Sequence, residues 1–525
     1  MPQHRLSSIL ASSLWVASVA MMVQPAESSA GNYRRPVPGG KSQGFTERTL
    51  ILLDVNTRSP IKTLNANFLS LQLDPSIIHD GWLDFLSSKR LVTLARGLAP
   101  AYLRFGGKRT DFLYFHNLKN LAKHRGGPGP DYYLKNYEDD IVRSDIALDK
   151  QKGCKLASHP DIMLELQREK AAQMQLVLLK EQFSNIYSNI TITEPNSYRA
   201  MVGRTVNGSQ LARDYLQLRK LLQSVRFYNN RASLYGPNIG RPRKPAILLL
   251  DRFMKTAGSA VDAVTWQHYD IDGRVAKVAD FMKTRLLDTL TEQISKVLKA
   301  VKTHAPGKKV WLGGVGPAWT GGTNNLSDTY AAGFLWLNTL GLSAMQGIDV
   351  VIRHSFFDYG YNHLVDQNFN PLPDYWLSLL FKHLVGPRVL AVHVAGLQRK
   401  PRPGRVIRDK LRIYAHCTSF QNHNYVRGSI TLYIINLHRS RKKIKLVGTL
   451  RGKAVHQYLL QPYGIEGLQA KSVQLNGEPL KMLDDETFPQ LKPKILRSGR
   501  TIVMPPMTIG FYVVKNVNAY ACRYR

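Results

Sequence analysis

The amino-acid sequence predicts an α/β chain in which a (β/α)8 TIM-type barrel is followed by a C-terminal β-sandwich. Short apolar runs alternate with helix-length stretches up to about residue 389, as strands and helices do in a barrel. Beyond that point, short strands and turns replace the helices, which is typical of a sandwich. With 525 residues, 44% of them hydrophobic, the chain can bury a substantial core. We expect the barrel at residues 49–390 and the sandwich at 391–525, with elements of the N-terminal region packed against the sandwich.

The barrel strands are predicted from apolar runs that end at a polar residue or a glycine. These runs are residues 49–55, 68–74, 101–107, 246–251, 263–269, 309–312 and 348–354. A polar, turn-rich segment at 119–158 predicts a surface excursion, and helical spacing returns at 162–179. In the last part, runs at 430–436, 472–477 and 509–514 predict sandwich strands. The aromatic residues Trp266, Tyr375 and Trp376 are expected in the core.

The net charge is the most unusual property of the composition. Lysine and arginine number 72 against 37 aspartate and glutamate residues, which gives a formal charge of +35 at pH 7. A charge of this size attracts polyanions over long distances and makes their binding sensitive to salt. Three clusters carry much of it, namely Arg241, Arg243 and Lys244; Arg399, Lys400, Arg402 and Arg405; and Arg439, Arg441, Lys442 and Lys443. The alternative for each cluster is a solvated face that only aids solubility.

The N-terminal segment predicts secretion. An uncharged apolar run at 7–23 follows two basic residues and gives way to small residues, so residues 1–30 are expected to be a signal peptide. A membrane anchor is the alternative, but the run is short for a membrane span. The sequons at Asn189, Asn207 and Asn325 agree with export to the cell surface or extracellular matrix. Outside the cell the abundant polyanions are sulfated glycosaminoglycans, so heparan sulfate or heparin, and no nucleic acid, is the expected partner.

Three cysteines, Cys154, Cys417 and Cys522, leave at least one thiol unpaired within a monomer. A bond between Cys417 and Cys522 would tie the C-terminal tail to the sandwich. Cys154 would then be the odd residue, either as a free thiol or as half of an intermolecular bond. The sequence has no metal-ligand spacing, no nucleotide-binding glycine motif and no Ser-His-Asp order, so neither a metal nor a cofactor is expected.

Two short motifs concern carbohydrate chemistry. Retaining glycosidases use two carboxylates about 5 Å apart, one to attack the anomeric carbon and one to protonate the leaving oxygen. The motif TEPN places Glu194 at a strand end, as a general acid/base would be placed. The stretch GKKVWLGGVG at 307–316 is typical of a glycosidase strand end, but it contains no carboxylate that could act as the nucleophile. The two motifs together predict a sugar-binding framework without hydrolysis.

Longer segments show a specific resemblance. LARGLAPAYLRFGGKRTDFLYF, VDAVTWQHYDIDGR and HLVDQNFNPLPDYWLSLLFKHLVGP resemble the heparanases, endoglucuronidases of glycoside hydrolase family 79. FLSLQLDPSIIHDGW and AGLQRKPRPGRVIRDKLRIYAHC are closer still to the catalytically silent paralogues within that family. The resemblance covers residues 49–525. It implies a barrel with an appended sandwich and a heparan sulfate ligand.

The resemblance also implies roles for single positions. Glu194 matches the family's proton donor, and Gly314 falls where the active enzymes have the nucleophilic glutamate. Cys417 and Cys522 match the family's disulfide. The positions that match the heparan sulfate cleft are Asp74, Arg243 and Arg274, and those that replace uncharged polar residues beside it are Lys108, Arg241 and His354.

One part of the family's barrel is expected to be missing. In the family, a further strand and helix precede the strand that carries the proton donor, whereas SNIYSNITITEPN joins the preceding helix to Glu194 almost directly. A barrel unit with its crossover needs about 30 residues. We therefore expect an incomplete barrel, and the family's partner for Cys154 lies in the missing stretch.

Two functions are consistent with these observations. The first is a secreted, inactive protein that binds heparan sulfate and antagonises active heparanase, by competing for the glycan or by direct contact. The alternative is a residual endo-β-glucuronidase in which Glu194 acts with a displaced carboxylate such as Asp328 or Asp358. Relocation of a nucleophile is rare because the geometry of attack is demanding, so the sequence favours the first function.

Overall fold

A computed structural model of the protein describes residues 50–74, 87–106, 190–191, 205–224, 233–357, 360–395 and 410–523. These residues belong to one unit that runs from Arg48 to Arg525. The strands are β1 (Leu50–Val55), β2 (Lys62–Thr63), β3 (Leu69–Leu73), β4 (Leu103–Phe105), β5 (Ile190–Thr191), β6 (Leu234–Ile239), β7 (Ala263–Asp272), β8 (Lys309–Trp319), β9 (Val350–His354), β10 (Val385–Leu390), β11 (Val392–Ala395), β12 (Leu411–Thr418), β13 (Ile430–Asn436), β14 (Lys442–Leu446), β15 (Val455–Tyr463), β16 (Ser472–Leu475), β17 (Glu478–Pro479), β18 (Lys494–Leu496), β19 (Ile502–Met504) and β20 (Thr508–Val514). The α-helices are α1 (Lys89–Gly97), α2 (Gly208–Ser224), α3 (Lys244–Ala257), α4 (Thr284–His304), α5 (Ala332–Gln346) and α6 (Pro373–Leu384). Short 3-10 helices lie at Val278–Met282, Gly448–Leu450, Gly467–Gln469 and Tyr520–Cys522.

A parallel sheet forms the barrel part of the fold. Its strand order is β4-β3-β9-β8-β7-β6-β5. The first barrel strand in the sequence, β3, pairs with the last, β9, for example at Leu69 and Val351. The first and last strands of a barrel are neighbours in the same way. Among the described residues no strand joins β4 to β5, so the prediction of a missing unit at this place stays a prediction. The α/β class itself is confirmed.

Two strand predictions in the barrel are wrong. The run at 49–55 forms β1, but this strand belongs to the sheet β11-β1-β14-β19 and not to the parallel barrel sheet. The apolar run at 246–251 lies in helix α3, and the strand of this part of the chain is β6. Pro245 occupies the first turn of α3, where the missing N–H costs nothing. The buried residues of the helix then recur with helical spacing at Ala246, Leu250, Phe253, Met254 and Ala257.

Two further sheets form the sandwich. The larger has the order β17-β16-β15-β20-β13-β12-β10-β2, with β18 paired to β15, and the smaller has the order β11-β1-β14-β19. The early strand β1 lies inside the smaller sheet, where Leu50 pairs in parallel with Lys443. Helices cover one face of the larger sheet and the smaller sheet covers the other, so every residue of β13 is buried. This double covering explains why apolar residues occur on both faces of β13.

Helix α5 joins the barrel to the sandwich. Nearly all of its residues are buried, because helices α4 and α6 and strands β8 and β13 pack against it. Gly341 permits the closest approach: a Cβ atom there would lie 2.5 Å from the ring of Tyr414 on β12. The hydroxyl of Tyr414 and Nη1 of Arg412 both donate to Oδ1 of Asn338, at 2.9 and 3.1 Å. Polar bonds at this contact fix the orientation of the helix on the sheet.

The core and the disulfide agree with the sequence. Trp266, Tyr375 and Trp376 are at most 1% exposed, as predicted. Cys417 of β12 is bonded to Cys522, with 5.3 Å between their Cα atoms, so the predicted pairing is confirmed. No helix within the described ranges is long and apolar enough to cross a membrane.

Candidate functional site

Two consecutive glycines, Gly313 and Gly314, lie at an irregularity in β8. The register of β8 shifts against β7 between Leu312 and Gly314, and it shifts against β9 at the same place. A Cβ atom on Gly313 would lie 2.6 Å from Oδ1 of Asn238, and one on Gly314 would lie 3.0 Å from Nη1 of Arg104. Both glycines therefore face polar side chains that come from other barrel strands.

The side chain next to Gly314 is a buried arginine. Arg104 in β4 is 5% exposed, and its Nη1 donates to Oε1 of Gln72 at 2.9 Å and to the carbonyl oxygen of Gly313 at 2.6 Å. Nε2 of Gln72 in turn donates to the carbonyl oxygen of Gly106 at 2.6 Å. These acceptors are neutral, and no described carboxylate pairs with the guanidinium. The described part of this site thus offers a hydrogen-bonded cation and no group able to attack an anomeric carbon.

Three predicted cleft residues lie at the carboxyl ends of barrel strands. Asp74 directly follows β3 and is fully buried, and His354 is the last residue of β9. Nδ1 of His354 lies 2.7 Å from the hydroxyl of Tyr269. Arg274 follows β7 and is exposed. Ligands of barrel proteins bind at this end of the strands, and the role of these three residues in binding stays a prediction.

The charge of Arg274 is partly neutralised within the chain. Its Nε and Nη2 donate to the two carboxylate oxygens of Asp272, at 3.1 and 2.9 Å. The hydrogen bond from Arg274 lowers the pKa of the Asp272 carboxyl. The guanidinium also lies over the ring of Trp319, 4.7 Å from its centroid. Arg274 is therefore held in a fixed orientation before any ligand binds.

A cationic groove lies between the loop after β6 and helix α4. It has a volume of about 290 Å³ and is lined by Arg241, Pro242, Arg243, Thr289, Glu292, Gln293 and Lys296. Three of these side chains are positive and only Glu292 is negative. Lys244 lies beside the groove as the exposed first residue of α3. The groove thus combines Arg241 and Arg243 of the first basic cluster with Lys296, which was not predicted as a site residue from the sequence.

The basic cluster of the sandwich is smaller than predicted. Arg439, Arg441 and Lys443 are exposed, whereas Lys442 is only 7% exposed. Successive side chains of a strand point to opposite faces, so Lys442 and Lys443 of β14 cannot share one surface. Lys445 replaces Lys442 on the exposed face.

Several predicted residues lie outside the described ranges. They are Glu194, Lys108, Arg399, Lys400, Arg402, Arg405, Asn189, Cys154 and Asp358. Their predicted roles stay predictions. Of the other two sequons, Asn207 and Asn325 both have exposed side chains.

The displaced nucleophile of the alternative function is not available at Asp328. Its side chain is 2% exposed, and Oδ2 lies 2.7 Å from Nζ of Lys471. Burial raises the pKa of this carboxyl, against the opposing effect of Lys471. A carboxylate that is buried and held by a lysine is badly placed to attack a sugar. Within the described ranges no group of three or more His, Cys, Asp or Glu residues could hold a metal ion.

Comparison with known sequences gives the family. The model described as "Glycosyl hydrolase family 79, N-terminal domain" matches residues 194–341. A Homo sapiens protein named "Inactive heparanase-2" is 69% identical over 565 aligned residues, which cover 97% of this chain and 95% of the relative. The chain belongs to the heparanase family. A Mus musculus protein named "Heparanase" is 39% identical, over 90% of this chain and 94% of the relative.

The alignment with the Homo sapiens relative also bears on the length of the chain. It extends over 565 positions, more than the 525 residues of this sequence, so that relative has residues without a counterpart here. Its name agrees with the prediction, made from Gly314, that this chain is an inactive homologue of a glycoside hydrolase. The name does not report which residue is responsible.

Solved structures confirm the predicted fold class of this chain, an α/β barrel with an additional sheet domain. An α-L-arabinofuranosidase from Thermotoga maritima has a TM-score of 0.57 at 12% identity and covers 89% of this chain and 99% of its own. A 4-O-α-L-rhamnosyl-β-D-glucuronidase from Fusarium oxysporum has a TM-score of 0.55 at 14% identity and covers 89% and 100%. At such identities the likeness concerns the fold alone.

The sequence reading of this heparanase homologue missed Arg104, Gln72 and Lys296 as site residues. Arg104 and Gln72 lie in predicted strands, where a polar residue between apolar residues was the available signal. Lys296 gave a weaker signal, because it belongs to an exposed helix face rich in charge. Only the contact between distant strands shows that Arg104 lies beside Gly314.

Proposed function

We propose that this chain is a secreted, non-catalytic protein that binds heparan sulfate at the cell surface or in the extracellular matrix. The observation that carries the proposal is Gly314, which stands beside the cation Arg104 where the family resemblance implies a nucleophilic carboxylate. Retaining hydrolysis requires two carboxylates. A framework with one of them at most can bind the glycan without cleaving it.

The charge distribution supports heparan sulfate as the ligand. The chain carries +35 in total, and the groove at Arg241, Arg243 and Lys296 presents cations on a surface large enough for a sugar unit. Arginine binds sulfate, like phosphate, through a planar pair of N–H donors. Relatives at 39% identity are named heparanase, which agrees with a glycan of this class.

Incubation with size-defined heparan sulfate at mildly acidic pH tests the absence of cleavage. We expect the chain length of the glycan to stay unchanged while an active heparanase shortens it in parallel. Fragments that appear with the wild-type protein and vanish with Glu194→Gln would contradict the proposal. Retention on a heparin column, in the same preparation, tests binding separately.

We further propose that the protein antagonises active heparanase. If it competes for the glycan, inhibition of the active enzyme falls as heparan sulfate is added in excess. If it contacts the enzyme directly, inhibition persists at saturating glycan and the two proteins sediment together. An active enzyme whose rate does not change at any concentration of this protein would contradict both routes.

A further inference from the structure

Buried polar atoms without partners surround Gly313 inside the barrel. They are Nδ2 and Oδ1 of Asn238, Oγ1 of Thr265 and Nε of Arg104. The three residues are 0%, 1% and 5% exposed. Buried polar atoms are almost always hydrogen-bonded, to protein or to a bound species. Such a group of unpaired atoms therefore points to an occupant.

A small cavity lies beside these atoms. Its volume is about 10 Å³, and it is lined by Tyr102, Arg104, Tyr235, Thr265, Trp311, Gly313 and Ile352. Its aromatic side is rigid, because the ring of Trp311 is stacked between Tyr235 and Tyr102, with centroid distances of 4.1 and 5.1 Å. A cavity of this size holds one species about as large as a water molecule, so a sugar or a carboxylic acid does not fit.

The electrostatics select an anion. The guanidinium of Arg104 is buried, and its hydrogen-bond acceptors among the described residues are neutral: Gln72 and the Gly313 carbonyl. A buried charge is costly unless an opposite charge accompanies it. Two residues that line the cavity carry unpaired groups, and both groups can donate: the Arg104 Nε–H and the Thr265 hydroxyl.

We infer that this cavity is a binding site for a monatomic anion of the size of chloride, held by Arg104 and Thr265. The ion compensates the buried cation in a chain that has glycine at position 314. The site is independent of the proposed glycan binding, since a volume of about 10 Å³ is too small for a sugar unit. A water molecule, the other species of this size, would leave the charge of Arg104 without compensation.

Thermal unfolding at constant ionic strength tests this inference. Replacing sodium gluconate by sodium chloride or bromide should raise the Tm of the wild-type protein saturably, by about 2 °C. The exposed-cation variant Arg243→Gln should keep the response. Arg104→Met should lose it, because the charge is gone. Gly314→Glu should also lose it, because its carboxylate reaches Arg104 and replaces the ion.

Crystals grown in bromide provide a direct measurement. We expect an anomalous peak beside Gly313 in the wild-type protein and none in Gly314→Glu. A halide response that is equal in all four proteins would show surface screening and overturn the inference. A wild-type protein without any response would also overturn it. So would electron density beside Gly313 that has no anomalous signal and is therefore water. If Arg104→Met does not fold, Gly314→Glu still decides. Heparin retention does not enter the test, so failure here leaves the proposed function untouched.

Discussion

Nη1 of Arg104 lies 3.0 Å from the point at which a side chain on Gly314 would begin. This contact is shorter than an ordinary van der Waals distance, so glycine is the residue that fits without displacing the guanidinium. The same contact would bring a carboxylate at position 314 into hydrogen-bond range of Arg104. The residue type at position 314 therefore affects both the proposed absence of catalysis and, through its contact with Arg104, the stability of the barrel.

Substitutions at Gly314 should separate crowding from charge. Gly314→Gln crowds Arg104 and should cost about 1–3 kcal/mol of unfolding free energy. Gly314→Glu has nearly the same shape but adds a charged acceptor, so it should be more stable than the glutamine variant by about 1.5–3 kcal/mol. Denaturant unfolding monitored by tryptophan fluorescence measures both values. Equal stability of the two variants would show that the carboxylate does not pair with Arg104.

Neutralising the groove should weaken heparin binding more than neutralising the same charge elsewhere. The groove variant Arg241→Gln/Arg243→Gln/Lys296→Gln removes three cations that line one surface. The control Lys255→Gln/Lys299→Gln/Lys302→Gln removes three exposed cations from α3 and α4 outside the groove lining. Ion release makes binding weaken with salt in proportion to the number of ionic contacts. The slope of log affinity against log salt should therefore fall by about 2 in the groove variant only. Identical slopes would mean that the groove is not the binding surface.

Three sandwich strands, β13, β16 and β20, were predictable because short strand-like runs recur there without helix-length stretches between them. The apolar run at 430–436 coincides with β13, which is covered on both faces and therefore has no polar alternation to confuse its limits. The run at 246–251 has similar composition but is helical. A short apolar run alone does not distinguish a buried strand from a helix, and β6, with its Gly-Pro pair, gave a weak strand signal.

The centre of the site depends on contacts that the sequence does not contain. Gly314 was predicted from the motif and the family resemblance. Arg104 hydrogen-bonds to the residue before it across 209 positions of sequence, and only the arrangement of parallel strands creates that contact. The groove is similar, since the loop at Arg241 and the helix residue Lys296 come from different barrel units.

His416 should make the protein less stable in acid. Burial lowers the pKa of this imidazole to about 4, and Nδ1 and Nε2 lie 2.8 and 3.0 Å from the Gly386 carbonyl and the Tyr433 hydroxyl. An unfolded histidine titrates at about 6.5. Between these two pKa values the unfolded state binds a proton that the folded state does not. The stabilisation is therefore complete above about pH 6.5 and is lost as the pH falls towards 4.

The matched variants for this prediction are His416→Gln and His423→Gln, the second at an exposed position. One pKa unit corresponds to about 1.4 kcal/mol, so wild-type protein should lose about 2 kcal/mol of unfolding free energy between pH 7 and pH 5 through His416. His416→Gln should be less stable at pH 7 but should show a flatter dependence on pH, by that amount. Denaturant unfolding across this range measures the slopes. A parallel dependence in wild type and His416→Gln would contradict the assignment.

The bond between Cys417 and Cys522 should hold the C-terminal tail and, through it, the start of the sandwich. It closes a loop with a sequence separation of 105 residues. Near the bond, the Ala521 carbonyl accepts from Nη1 of Arg388 at 2.6 Å, and the Ala521 N–H donates to Thr57 at 3.0 Å. Loop closure of this length contributes on the order of 4 kcal/mol.

Cys417→Ser/Cys522→Ser should lose that amount of unfolding free energy and should not respond to reductant. Reductant should lower the stability of the wild-type protein to the same value. Hydrogen exchange should then rise first at residues 519–523 and in β2, which pairs with the strand that carries Arg388. Wild-type protein whose stability is unchanged by full reduction would show that packing alone holds the tail.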